Sequence, residues 1–246
     1  MTPRTRRPER RTEALSRERI VQAAVELLDS TGEAGLTFRA LTEHLATGPG
    51  AIYWHVKNKG ELLAAATDAV VAAALAAGPA GPAGSAGSPP DEIRAVALGL
   101  FDAIDEHPWL APQLATQFSR SSGESVALRI MERVGQPVRA LGVPASGQFT
   151  ATFALVHYIL GAAGQNAANR AAVRGLGPGF ERDGYIDAVV TTWEALDPGD
   201  YPFIRGIAGR VRDHDDRAEF LAGVDLILAG ITAVQLPAGR AGGGRP

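Results

Sequence analysis

The chain has 246 residues, 46% of them hydrophobic, with 27 acidic against 24 basic side chains and no cysteine. That length can bury one large or two modest cores, and the lack of cysteine excludes a disulfide framework, a thiolate nucleophile and Cys-ligated zinc while fitting a reducing compartment. The N-terminal sequence lacks the apolar stretch of a secretory signal, and no segment reaches the roughly 18 uncharged apolar residues of a membrane helix, so we expect a cytoplasmic chain with no membrane partner. The charge is uneven: residues 1–65 hold ten basic and eight acidic side chains, the remainder fourteen and nineteen. A basic front before an acidic remainder points to nucleic acid at the front.

Residues 1–14 place Arg4, Arg6, Arg7, Arg10 and Arg11 beside two prolines without apolar periodicity. This composition predicts a flexible basic arm, either laid along DNA or serving only as a solubilising tail. Ser16 is suited to cap a helix whose stripe is Ile20, Ala24, Leu27 and Leu28, ending near Thr31 and Gly32. A second, short helix follows Thr37, with Phe38, Leu41 and Leu45 on one face. Ala46, Thr47 and Gly48 interrupt it, and Pro49 suits the first turn of a third helix reaching about Val56, with Ile52 and Val56 turned inward. Consecutive helical residues lie about 100° apart, so Tyr53, Trp54 and His55 cannot all be buried. Asn58 and Glu61 have the spacing of a capping box for the next helix. Lys57 and Lys59, the only lysines, offer either phosphate-seeking charge or a solvated turn. Two short helices across a turn, locked by a third, read as a DNA-reading head.

The helix starting at Lys59 carries Leu62, Ala66, Val70 and Ala73 and joins head to body. Residues 78–90 form a Gly/Pro/Ser spacer without core residues. Helical spacing then recurs over 92–106, 109–118, 125–141 and 147–170, and, after a loop at 174–184, over 185–196 and 213–235. No alternating strand pattern occurs, so the expected class is all-α. The expected organisation is arm 1–14, helix-turn-helix domain 15–63, helical ligand-binding and dimerisation body 64–236, and flexible tail 237–246. Phe149, Phe153, Val156 and Leu160 on one long helix match Phe220, Val224, Ile227 and Ile231 on the last. Such stripes either fill one core or meet a symmetry mate in a four-helix interface. Gly161, Gly164 and Ala168 leave room for a closely packed helix.

Asp213, His214, Asp215 and Asp216 are metal-ligand types, but consecutive helical positions do not converge on one point, and capping at the last helix explains them better. Gly175, Gly177 and Gly179 lack the strand and the Lys-Ser/Thr of a phosphate loop. No serine lies in a nucleophile elbow. We therefore expect no catalytic residues, no metal and no cofactor. His107, Trp109, Gln113, Phe118, His157, Tyr158, Gln165, Asn166 and Trp193 sit among apolar neighbours, a composition suited to a largely apolar small molecule with a few hydrogen-bonding groups.

The runs LTFRALTEHL and GAIYWHVKNKGELL resemble the DNA-binding domain of the tetracycline-repressor family of bacterial transcription regulators. Ala46 and Thr47 depart from the Gly-Val usual in that turn. The resemblance implies contacts to backbone or base edges from Thr37 and Arg39, and a recognition helix comprising Pro49, Gly50, Ala51, Tyr53, Trp54 and His55. It also implies phosphate contacts from the lysines, with Lys59 as a clamp beside Lys57. HYILG at 157–161, YPFIR at 201–205 and EFLAGVDLILAGI at 219–231 are similar to the tetracycline-repressor subgroup. This likeness implies a homodimer joined through the paired helices, a double-stranded palindromic operator, and release by a small-molecule effector through the connecting helix. His157 falls on the family's magnesium-binding histidine, but Gln165 stands where the acidic partner belongs, and Leu75 replaces a polar histidine. An amide compensates little of magnesium's charge, so the expected effector is a neutral hydrophobic or aromatic molecule rather than magnesium-tetracycline.

Overall fold

The computed structural model describes residues 15–76, 87–119, 125–175 and 182–233. The basic arm, residues 77–86 with most of the spacer, residues 120–124, residues 176–181 of the later loop and residues 234–246 with the tail lie outside the described residues. Those described form eleven α-helices and one 3-10 turn, with no strand among them, in agreement with the all-α expectation. The chain divides into two compact units, Met1–Ala66 and Thr67–Pro246.

In the first unit, α1 (Arg17–Gly35) starts where Ser16 Oγ accepts from the Arg19 amide at 3.2 Å. Its buried face comprises Ile20, Val21, Ala23, Ala24, Val25 and Leu28. The predicted Leu27 is only half-buried. At Gly32 the backbone turns to φ 67°, a conformation open to glycine at little steric cost, so the helix breaks where its end was expected and resumes for a few residues. In α2 (Phe38–Leu45), Thr37 Oγ1 accepts from the Ala40 amide at 3.1 Å. The helix α3 (Pro49–Tyr53) stops earlier than predicted. The Ile52 carbonyl accepts from both the His55 amide (2.9 Å) and the Val56 amide (3.0 Å), so its last bonds are shared between three- and four-residue spacing as the helix gives way to a turn. Leu36, Leu41, Ile52, Val56 and Leu62 are each no more than 1% exposed and make the head's core with Ile20.

The helix α4 (Lys59–Ala76) begins in the first unit and ends in the second. The second unit continues with α5 (Pro89–Glu106), α6 (Leu110–Ser119), α7 (Val126–Ala140), α8 (Ala145–Gly175), α9 (Arg182–Glu194), α10 (Pro202–Ile207), a 3-10 turn (Ala208–Val211) and α11 (Asp216–Ala233). The helix α5 claims Pro89 and Pro90 from the expected spacer, because prolines fit a first helical turn whose N–H groups have no partner. Sequence periodicity did not indicate α10 or the 3-10 turn, which are too short to repeat a pattern. At the centre α8 packs on α5, α7 and α11. Two helix contacts of this unit need glycine: a Cβ on Gly99 would lie 2.5 Å from the Ala74 carbonyl oxygen, and one on Gly223 would run into the Tyr158 ring and hydroxyl.

The two matched apolar stripes divide between core and surface in this packing. Val156, Phe220 and Val224 are buried within one chain, whereas Phe149 is 68% exposed. Tyr158 stacks on Phe220 (centroids 5.9 Å) and donates its hydroxyl to the Phe220 carbonyl at 3.1 Å. Other faces of these helices are exposed: Ala154, His157, Gly161, Gln165 and Ala168 on α8, and Ala218, Ala222, Leu226 and Ala229 on α11. Helical recurrence identifies a face but does not say what covers it.

The turn between α2 and α3 carries local strain. Ala46 adopts φ 49°, ψ 46°, the left-handed region, and is the only non-glycine with positive φ among the described residues. An L-residue loses roughly 1–2 kcal/mol there. Ala46→Gly removes that strain at some cost in unfolded-state entropy, so it should stabilise the protein by about 0.5–1 kcal/mol, read as a raised thermal midpoint of the head.

Candidate nucleic-acid interface

Two buried side chains orient the head's outer surface. Ile52 and Val56 are fully buried, and at helical spacing this turns Pro49, Gly50 and Tyr53 toward solvent. Of the ten residues expected at DNA, Thr37, Arg39, Pro49, Gly50, Tyr53, Trp54 and Lys57 are exposed, and Ala51, His55 and Lys59 are half-buried. Trp54 is 90% exposed, the most exposed of the large hydrophobic side chains described. Tyr53 stacks on Phe38 with centroids 4.6 Å apart and planes at 10°, which fixes its ring across α2. Arg39 pairs with Glu43 one turn on, at 2.9 Å, with 88% of its side chain exposed. A Cβ on Gly50 would meet nothing within 4 Å. Intramolecular packing therefore does not require glycine at that exposed position.

Lys59 has a partner within the head in addition to the phosphate role expected of it. Its ammonium donates to the Glu33 carbonyl oxygen at 2.6 Å, because the break at Gly32 leaves carbonyls at the end of α1 in need of donors. The side chain thus serves the head's own structure. Lys57 stays on the surface, while its backbone N–H donates to Glu61 Oε2 at 2.9 Å. The capping motif is offset from its expected form: Asn58 Oδ1 accepts from the Glu61 amide at 2.9 Å, but Glu61 reaches back to Lys57 rather than to Asn58.

Sequence inspection missed Arg17. Its Nη1 donates to the His55 carbonyl oxygen at 2.7 Å and to Glu61 Oε1 at 3.0 Å, joining the start of α1, the turn after α3 and the start of α4. No local pattern announces a partner 38 or 44 positions away. His44 similarly meets Glu26 at 2.8 Å, tying α2 to α1.

In the second unit the nine expected ligand residues lie on several helices and differ in exposure. Tyr158 is engaged with Phe220, and its phenol is pushed above the usual range by burial and then by Glu219. His107 lies beside buried Trp109, with centroids 5.9 Å apart. His157 is exposed and meets Phe153 edge-on, and exposed Gln165 donates to Asn169 at 2.9 Å. Gln113, Phe118 and Asn166 are half-buried. A cavity of about 900 Å³ includes Trp193 alone of the nine, together with Tyr185, Arg170 and His214. Another, of about 1010 Å³ between α7 and the start of α8, includes none of them. Residue composition identified polar groups in helices, but not the direction each one takes. Asp215 Oδ1 accepts from the amides of Arg217 and Ala218 at 2.9 Å each, capping α11 as expected.

The comparisons agree with this two-part architecture. The family described as bacterial regulatory proteins, tetR family, matches residues 20–66, and a tetracyclin repressor-like C-terminal domain matches 82–235. A TetR transcriptional regulator from Streptomyces coelicolor is 60% identical, with a TM-score of 0.80 over 91% of this chain and all of that one. ActR from the same organism, in complex with actinorhodin, is 25% identical with a TM-score of 0.69 over 93% of this chain and 99% of its own. BioQ with its double-stranded DNA operator is 26% identical with a TM-score of 0.57 over 90% and 100%. Against curated relatives, the matched stretch spans 64% of a Saccharopolyspora erythraea HTH-type regulator and 26% of an Escherichia coli class C tetracycline repressor.

The carboxylate of Glu61 is held below the usual range, first by the Lys57 amide and then by Arg17. A depressed folded pKa means that this contribution is present above the ordinary glutamate range and is lost as pH falls through the folded value. Glu61→Gln should flatten the acid limb of head unfolding, and Arg17→Ala should lower the midpoint at neutral pH. Circular dichroism melts across pH 3–7 check both: identical limbs in wild type and Glu61→Gln would assign the acid sensitivity elsewhere.

Proposed function

Because the chain belongs to the tetR family of bacterial regulatory proteins, we propose that it is a cytoplasmic repressor that binds a palindromic operator as a dimer and leaves it when a small molecule binds the body. The observation that carries the DNA reading is the exposed surface of Pro49, Gly50, Tyr53, Trp54 and Lys57, held in one orientation by buried Ile52 and Val56 and by the Arg17 bonds. Lys57 supplies phosphate charge. Gly50, with open space where its Cβ would stand, lets the backbone come close to the groove. Trp54 and Tyr53 provide apolar contact to bases or sugars. The arginines of residues 1–14 add sequence-independent charge.

The small, exposed faces of α8 and α11, with Leu226 75% exposed, support dimerisation through these helices, since small residues allow close helix approach. Control by a small molecule is supported by the likeness to ActR, solved with actinorhodin. Magnesium-tetracycline is a poor fit. Gln165 is an amide already paired with Asn169, and exposed His157 contacts Phe153. The family's regulatory role favours a regulator over an enzyme.

Selection of bound sequences from random duplexes should return an inverted repeat, with half-sites about 34–36 Å apart if each head enters the major groove on one side of the duplex. Recovery of single half-sites alone would refute the dimeric operator. Trp54→Ala and Gly50→Val should weaken binding to the selected duplex while preserving the helical spectrum. Lys57→Ala should reduce the slope of log affinity against log salt by about one, for one lost phosphate contact. An unchanged slope places Lys57 off the backbone.

A further inference from the structure

The larger cavity is an open groove along one face of α7, and its lining combines apolar surface with two unlike arginines. Phe149 and Phe153 form a ring pair (centroids 4.3 Å) at its edge, and Phe149 is 68% exposed. Thr152 lines the same groove and is only 7% exposed, yet its hydroxyl has no hydrogen-bond partner among the described residues. Arg139, exposed on the groove, has no ion-pair partner among those residues either. Arg129 lies ten positions earlier, roughly 15 Å along the helix, and binds Asp68: Nη1 approaches Asp68 Oδ2 at 3.3 Å, Nη2 contacts Oδ1, and Nη2 also faces the Asp68 carbonyl at 3.5 Å. One turn on, Arg133 donates to the Leu75 carbonyl at 3.2 Å. Two arginines of α7 thus hold the last turns of α4, and one of them lines the groove.

We propose that this groove is the effector site, that it takes a planar aromatic carboxylate, and that the bound carboxylate competes with Asp68 for Arg129 and so loosens the hold of α7 on α4. The proposal rests on the reading of the chain as an effector-controlled DNA-binding protein and replaces the neutral effector expected from the sequence with an anionic one. A guanidinium fits a carboxylate in a two-point fork. The Phe149–Phe153 pair offers a face for a fused ring, and Thr152 offers a donor that protein groups leave unused. The Arg129–Asp68 pair is about half exposed on both sides, and exposed ion pairs are weak enough to exchange for a better ligand. A ligand can shift α4 only through such a difference in affinity between the held and released states. By linkage, operator binding must weaken the ligand by the same factor as the ligand weakens the operator. The cavity beside Trp193 is a weaker candidate, because its Arg170 is already paired with Asp105 and Asp216, and its His214 with Asp216.

Calorimetry on the full chain with 2-naphthoate and with uncharged 2-naphthol, combined with anisotropy on the selected operator duplex, tests this. Naphthoate should bind and weaken the operator, with naphthol about tenfold weaker, the scale of one charged hydrogen bond. Arg139→Gln and Thr152→Val should each weaken naphthoate while ligand-free operator affinity stays at the wild-type value. Asp68→Asn, which frees Arg129, should raise naphthoate affinity and lower ligand-free operator affinity. Equal binding of the two probes, or no binding of naphthoate at millimolar concentration, overturns the ligand class. Naphthoate binding that Arg139→Gln weakens but that leaves the operator bound overturns the switch and the effector reading, and keeps the site. Operator release by naphthoate that Arg139→Gln does not weaken overturns the site and leaves the effector reading standing.

Discussion

The burial of Ile52 and Val56 is the constraint on which the head depends. A helix as short as α3 has almost no stability of its own, since nucleating a turn costs more than its few hydrogen bonds return. It persists because these two side chains enter a core shared with Ile20, Leu41 and Leu62, each worth about 1.5–3 kcal/mol on burial. Once they are inside, Pro49, Gly50, Tyr53 and Trp54 are left on the outer side, with Ala51 and His55 half-buried. A surface of proline, glycine and aromatic residues is therefore presented rigidly, although none of these residues contributes much to holding it. Arg17 completes the arrangement by bonding the His55 carbonyl and the Glu61 carboxylate at once.

The body follows a different rule, set by the position of α8. This helix is covered by α5, α7 and α11, so its faces divide into a buried stripe, a small-residue outer surface and a flank that borders the groove. Arginine-carboxylate pairs brace the surrounding helices: Arg94 to Asp225 and Arg217 to Asp102 connect α5 with α11, and Arg170 to Asp105 connects α8 with α5. Each is partly exposed and individually weak. They do not build the core but favour one register of helices whose apolar faces would tolerate small slips. Arg129 and Asp68 belong to the same class of brace, and both line the groove along α7.

The local sequence alone determined much of this molecule. Amphipathic spacing, the Ser16, Thr37 and Asn58 caps and the proline at the start of α3 specify helices and their boundaries, because these depend on neighbours within about four positions. The surface around Trp54 was legible for the same reason: a helix of known phase with Ile52 inside must turn adjacent residues out. Only the tertiary structure decided which apolar stripe is core, that Lys59 bonds the end of α1, and that Arg17 links three segments. It also decided that Tyr158 is engaged by Phe220 and that Thr152 and Arg139 border a groove. These outcomes depend on contacts between residues dozens of positions apart and on side-chain directions set by packing, and neither quantity is encoded in a periodic pattern.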